Sequence, residues 1–133
     1  MRFMMTGIAA AFLSVGLAAC AAAPPPTPTP SDPLVLGQQV FAQYCAPCHG
    51  AAGEGFVNAL DAPGLNADSE AHLLSDEAIL TAVIDGGAAS GGNMAPLGDA
   101  LTEQQEAAVL QYLHTLWTDD QRAAHEAAGG HTP

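Results

Sequence analysis

The 133-residue sequence contains no lysine, and its only arginines are Arg2 and Arg122. Against these two cations stand 14 acidic side chains, so the formal net charge at pH 7 is −12. Because phosphate binding needs clustered lysine and arginine, this balance excludes a nucleic-acid-binding function. Aromatic residues are also scarce, at 5% of the chain, and a domain of this length therefore has few large side chains with which to build a core.

Regular alternation of apolar and polar residues is also missing, and this absence argues against strands. Three segments instead place apolar residues at helical spacing. The first begins at Ser31 or Asp32 with Pro33 at the first helical position, the second begins at Ser75, and the third begins with a capping box at Thr102–Gln105. We therefore predict an all-α domain of three main helices, with a further short helix near residues 68–74. The predicted buried stripes are Gly37, Val40, Phe41 and Tyr44; Ile79, Leu80, Val83 and Ile84; and Val109, Tyr112, Leu113, Leu116 and Trp117.

The first 19 residues have the layout of an export signal, with Arg2 followed by an uncharged apolar run to Ala19. That run is shorter than the roughly 20 residues that span a bilayer. Leu17-Ala18-Ala19-Cys20 resembles the lipobox of bacterial lipoproteins, which implies cleavage before Cys20 and a lipid on its sulfur. An ordinary secretory signal cut nearby is the alternative. Because Ala21, rather than aspartate, follows the cysteine, the resemblance favours the outer over the inner membrane.

Proline dominates residues 20–33, which favours an extended tether of up to about 40 Å between lipid and domain. The expected organisation is therefore a signal peptide (1–19), a lipidated cysteine and tether (20–33), a folded domain (34–117) and a polar helical extension (118–133). We expect the mature protein to face the periplasm from a membrane to which lipid anchors it.

The chemistry of the sequence is concentrated at Cys45-Ala46-Pro47-Cys48-His49. Two cysteines at this spacing lie on one side of a helix end, where each can add to one vinyl group of a haem, and the adjacent imidazole can bind the iron. A thioredoxin-like redox pair is the first alternative, but that pair follows a strand, whereas a helix is predicted here. A zinc site is the second, but the predicted folded domain has no further cysteines to complete a tetrad.

Residues 34–117 resemble a class I monohaem cytochrome c. The resemblance rests on Gly37, Phe41 and the Cys45–His49 motif, and on three more segments: the terminal-helix sequence 109–113, Pro63-Gly64-Leu65, and the methionine loop 92–99, which reads Gly92-Asn93-Met94-Ala95-Pro96-Leu97-Gly98-Asp99. It implies one covalent haem c on Cys45 and Cys48, with His49 and Met94 as axial iron ligands. It also implies that the Pro63 carbonyl accepts a hydrogen bond from the His49 imidazole.

The same resemblance implies a membrane-tethered single-electron carrier rather than an enzyme, because two protein ligands leave the iron no open position. A haem-based gas or redox sensor and a thiol–disulfide oxidoreductase are the alternatives. The absence of lysine points to redox partners with basic faces. His72 competes with Met94 as distal ligand, and His114 is expected to be solvated. Backbone amides, Trp117 and tyrosine side chains are all candidate donors to the haem propionates. The tail histidines His125 and His131 leave a metal site open as a weaker hypothesis.

Overall fold

The computed structural model describes residues 31–55 and 61–130, and within these ranges the chain is helical and contains no strand. A π-helical turn at Phe41–Cys45 joins the first two helices, and 3-10 turns lie at Ala71–Leu73 and Ala88–Ser90. The all-α prediction is confirmed, although the short helix predicted near residues 68–74 is only a 3-10 turn. The α-helices are α1 (Pro33–Val40), α2 (Ala46–His49), α3 (Asp76–Asp85), α4 (Glu103–Thr115) and α5 (Asp119–Ala127).

The three predicted helices begin where the sequence predicts, because each of their starts carries a side-chain cap, whereas the start of α2 carries none. Asp32 caps α1 by accepting from the Leu34 amide at 2.9 Å, with Pro33 next to it. Ser75 caps α3, and Thr102 and Gln105 form the capping box of α4. A second box, formed by Thr118 and Gln121, starts α5 in the polar extension. Each cap satisfies amide groups that the first helical turn leaves without a partner.

Helices α1 and α4 cross at Gly37, and this crossing organises the core. A Cβ atom at position 37 would lie 2.7 Å from the Ala108 carbonyl carbon and 2.8 Å from Tyr112 Cβ, closer than real side chains pack. Glycine therefore lets the two backbones touch. Phe41 and Val109, each 1% exposed, fill the space beside this contact, and Phe41 lies 5.3 Å from the Tyr112 ring.

The predicted stripes form most of the buried cluster, with two corrections. Ile84 is 36% exposed, because the α3 stripe turns away from the core at its last residue. His114 is half-buried rather than solvated, since its imidazole contacts Asp76 and Trp117. The buried cluster contains Leu36, Val40, Phe41, Cys45, Ile79, Val83, Leu101, Ala108, Val109, Leu110, Leu113 and Trp117.

The export signal, Cys20, the tether up to residue 30 and His131 lie outside the described residues. Within the described ranges, no helix has the length and apolar character needed to span a membrane.

Candidate haem-attachment site

The Cys45–His49 segment follows α1 through a local change of helix type. The Ala46 amide bonds to the Phe41 carbonyl, five residues back, which makes Phe41–Cys45 a π-helical turn. Pro47 accounts for an interruption here, because proline has no amide hydrogen and its ring conflicts with the carbonyl four residues earlier. The turn ends at Cys45, and α2 then carries Cys48 and His49. The apolar spacing of the sequence indicates no break between α1 and α2, and Pro47 is the only sequence feature that predicts one.

The two motif cysteines are both free thiols, but their surroundings differ. Cys45 is 7% exposed and belongs to the buried cluster, while Cys48 is half-buried. Burial raises the pKa of the Cys45 thiol from 9.0 to about 11, and the neighbouring Cys48 thiol adds to the rise. Cys45 is therefore a neutral thiol at physiological pH, and it lacks the lowered pKa of a catalytic redox cysteine.

The His49 imidazole is buried and has a fixed orientation. Its Nδ1 lies 2.8 Å from the Pro63 carbonyl oxygen. Since a carbonyl can only accept, Nδ1 carries the proton and donates it. In the neutral imidazole this leaves the Nε2 lone pair for a metal, which is the usual arrangement of a metal-ligating histidine.

A compact turn after α2 brings Pro63 to His49. The Gly55 amide donates to the His49 carbonyl at 2.6 Å, and the Leu65 amide donates to the Gly53 carbonyl at 2.7 Å. Gly55 has φ +77°, and a Cβ there would lie 2.7 Å from the Pro63 carbonyl carbon. The loop segment at Gly55 can approach Pro63 this closely only because glycine has no side chain.

Trp117, which follows the end of α4, contacts the loop that carries Pro63. Its indole Nε1 donates to the Leu65 carbonyl at 2.9 Å, and its ring is 4% exposed. The indole proton is thus engaged by the chain itself, which favours backbone amides and tyrosine side chains over Trp117 as propionate donors. The contact spans 52 residues of sequence, and no local pattern signals it.

Met94 lies in the loop after α3, half-buried and packed against the buried cluster. The loop folds back onto the end of α3, because the Gly87 amide donates to the Met94 carbonyl and the Leu97 amide donates to the Val83 carbonyl, both at 2.9 Å. A Cβ at Gly86 would lie 2.7 Å from the Met94 carbonyl oxygen, so this glycine makes room for the loop. Met94 and Cys45 therefore meet the same apolar core from different segments.

The other histidines that the structure describes make different contacts from those of His49. His72 Nδ1 donates to the Ser69 carbonyl at 3.0 Å, and its ring lies edge-on to Trp117 at 6.3 Å. His114 and His125 instead gather around Asp76, at the junction of α3, α4 and α5.

An all-helical domain that presents two free thiols and a following imidazole with Nδ1 already engaged has the donor set of a c-type haem protein. A family model for cytochrome c matches residues 34–117, well over half of the chain. The chain therefore belongs to the cytochrome c family. No curated protein and no solved structure gave a match. The family binds haem c covalently and works in electron transfer with redox protein partners, outside the cytoplasm.

The residues of this chain fit that cofactor. Both thiols are reduced and lie on one helical segment, and the His49 tautomer leaves a nitrogen lone pair for iron. The half-buried Met94 adds a thioether, which is a soft ligand suited to iron in haem. A thioredoxin-like alternative, by contrast, needs a strand before the cysteines, and the described residues contain none.

Proposed function

We propose that this protein is a single-electron carrier in which Cys45 and Cys48 would hold one haem, and His49 and Met94 would both bind its iron. When bound, the haem would supply a one-electron ferric–ferrous couple. Because His49 and Met94 would fill the iron positions that the porphyrin leaves open, none would remain for a substrate, and the protein is a carrier rather than an enzyme.

The chain's own residues supply attachment, orientation and a dry environment. Cys45 and Cys48 would hold the cofactor through one thioether each, so that it could not dissociate. Pro63 fixes the His49 ring through the hydrogen bond at Nδ1, and that bond makes Nε2 a stronger electron donor. The buried cluster around Cys45 keeps water away from this side of the site. Fewer water molecules then have to reorient when an electron arrives or leaves.

The observation that carries the proposal is the 2.8 Å contact between His49 Nδ1 and the Pro63 carbonyl. It joins residues 14 positions apart, and it sets the imidazole proton on the nitrogen that a metal would not use. A surface histidine beside a reactive thiol pair would need neither the burial nor this partner.

The test is the intact mass and the pyridine haemochrome spectrum of the exported protein. We expect the mass of one haem to be added covalently, with the spectrum of a haem joined through two thioethers. The Cys45→Ala/Cys48→Ala variant should lose that mass. The matched control is Cys20→Ser, which removes the third cysteine and should keep the haem. Haem-free wild-type protein, obtained from a host that matures other c-type cytochromes, would contradict the proposal.

The tether belongs to the same proposal. Lipid on Cys20 and the proline-rich residues up to 33 would hold the domain within about 40 Å of the membrane, on the periplasmic side, with the outer membrane favoured by Ala21. The acidic side chains would then select partners with basic faces, and salt would weaken the association.

A further inference from the structure

A second cluster of potential metal ligands lies outside the haem-attachment segment, where α5 meets the rest of the domain. Asp76 is the first residue of α3, His114 lies in the last turn of α4, and His125 lies in α5. Asp76 Oδ1 is 2.9 Å from His114 Nε2 and 3.0 Å from His125 Nε2. Asp76 and His125 are only 1% and 4% exposed. Two groups that usually face water are thus buried together, and the half-buried His114 imidazole contacts them.

The orientation of His125 resembles that of a metal ligand. Its Nδ1 lies 3.0 Å from the His72 carbonyl oxygen, so Nδ1 carries a proton and donates it. Its Nε2 then faces Asp76 Oδ1, the atom that His114 Nε2 also faces. A backbone carbonyl on one ring nitrogen and a metal on the other is the common arrangement in metal sites.

The donor set identifies the class of ion. Two imidazole nitrogens with one carboxylate oxygen suit zinc, whereas calcium and magnesium prefer oxygen ligands throughout. The three donor atoms lie within 4.8 Å of one another. Tetrahedral zinc holds its ligand atoms about 3.3 Å apart, so the two contacts of 2.9 and 3.0 Å need to open by only a few tenths of an ångström.

The surroundings support the ring positions and offer a route for an ion. Trp117 packs against both imidazoles, with centroid distances of 4.7 Å to His114 and 5.0 Å to His125. A cavity of about 160 Å³ opens beside the cluster, and His125 forms part of its wall. Zinc brought into the cluster would also be attracted by the chain's formal charge of −12.

We propose that the protein binds one zinc ion through Asp76 Oδ1, His114 Nε2 and His125 Nε2, with water as the fourth ligand. The ion replaces the proton between Asp76 and each imidazole and joins three helices at one point. Because His125 lies beyond residue 117, where the match to the family ends, the site fastens the C-terminal extension to the domain. The site uses none of the side chains that are proposed to hold the haem.

The experiment measures zinc binding to the haem-loaded, full-length protein at pH 7.5 by equilibrium dialysis with elemental analysis. Haem loading matters, because it occupies the motif thiols and His49. We expect one zinc per chain, and a zinc-edge X-ray absorption spectrum showing two imidazoles about 2.0 Å from the ion. Saturating zinc should raise the melting temperature of the wild type, since the ligand binds only the folded state.

Three variants decide whether the cluster holds the ion. His114→Gln and His125→Gln each remove one ligand, and each should weaken binding by at least about 100-fold, the upper end of what losing a mere supporting contact costs. His72→Gln is the matched control, because it removes a nearby imidazole but keeps the carbonyl that accepts from His125. It should bind zinc like the wild type.

His114 is the less buried of the two histidines, so its variant keeps the test valid if His125→Gln fails to fold. Circular dichroism and the haem absorption spectrum establish that each variant is folded. Folded wild-type protein that retains no zinc would overturn the proposal. So would folded His114→Gln protein that binds zinc as tightly as the wild type.

Discussion

Three ring N–H groups of this domain each donate to one backbone carbonyl, and that hydrogen bond fixes the orientation of the ring. His49 is oriented by Pro63, Trp117 by Leu65 and His125 by His72, at 2.8, 2.9 and 3.0 Å. The motif itself could be recognised from the sequence, because five consecutive residues carry it. The carbonyl partners of Trp117 and His125 could not, since they lie 52 and 53 residues away and any residue supplies a carbonyl.

Replacing Trp117 by phenylalanine tests whether the indole contact holds the loop that carries Pro63. The change leaves the Leu65 carbonyl without its donor, and we expect the free energy of unfolding to fall by about 1–3 kcal/mol from this loss, and further from the smaller ring. The Leu65 amide, bonded to Gly53, should exchange its hydrogen faster. Denaturant unfolding and amide exchange on haem-loaded protein measure the two effects.

The control for the Trp117 experiment is benzothienylalanine at the same position, which keeps the ring size but has no N–H group. This variant should also show faster hydrogen exchange at the Leu65 amide, although its ring is large enough to leave no cavity. If exchange at Leu65 stays at the wild-type rate in both proteins, the indole contact does not hold the loop.

Among the secondary-structure elements, the helix starts were the most predictable feature. The caps at Ser75 and Thr102 lie where the sequence predicts them, and Asp32 is one of the two residues predicted for the first cap, because each side chain satisfies nearby amides. The exposure of Ile84 is not predictable from spacing, because it depends on what packs against the helix. The π-helical turn that ends at Cys45 is indicated only by Pro47, and spacing alone does not predict it. The burial of His114 and His125 depends likewise on where α5 docks.

The α1–α4 crossing provides a sharp test of packing, because Gly37→Ala adds one methyl group at the closest backbone contact. Alanine favours helices by about 1 kcal/mol over glycine, yet the added Cβ would overlap Ala108 and Tyr112. Overpacking costs about 1–3 kcal/mol or more when the neighbour is backbone, so we expect net destabilisation, measured as a lower melting temperature.

Gln39→Ala is the matched control for the crossing, since it changes an exposed residue of the same helix. It should leave stability unchanged within about 0.5 kcal/mol. A Gly37→Ala protein as stable as the wild type would mean that the helices do not meet at this residue.

For the whole molecule, folding and anchoring are assigned to separate segments of the chain. The family match begins at residue 34, after the proline-rich segment, and Cys20 precedes it. We therefore predict that Cys20→Ser yields a haem-loaded protein released from the membrane into the soluble fraction. Fractionation after salt and carbonate washing, with haem absorbance as the readout, measures this. A variant that still sediments with membranes would show that Cys20 is not the anchor.

The central claim is that His49 and Met94 saturate the iron and make the protein an electron carrier. The most direct measurement is a redox titration of haem-loaded wild-type and Met94→Ala protein, followed through the visible haem absorption. The spectrum of the oxidised protein is recorded beside it for the weak near-infrared band that reports iron–methionine bonding. Met94 is the only methionine after residue 5, so no other thioether can replace it. Leu97→Ala, in the same loop and packed against the same cluster, controls for lost packing.

We expect Met94→Ala to keep its covalent haem, lose the near-infrared band and bind carbon monoxide faster, with a midpoint potential lower by on the order of 100 mV. Leu97→Ala should keep both the band and a potential near that of the wild type. A Met94→Ala protein whose band and potential are unchanged would contradict the account, and His72 would then be the first alternative ligand to replace.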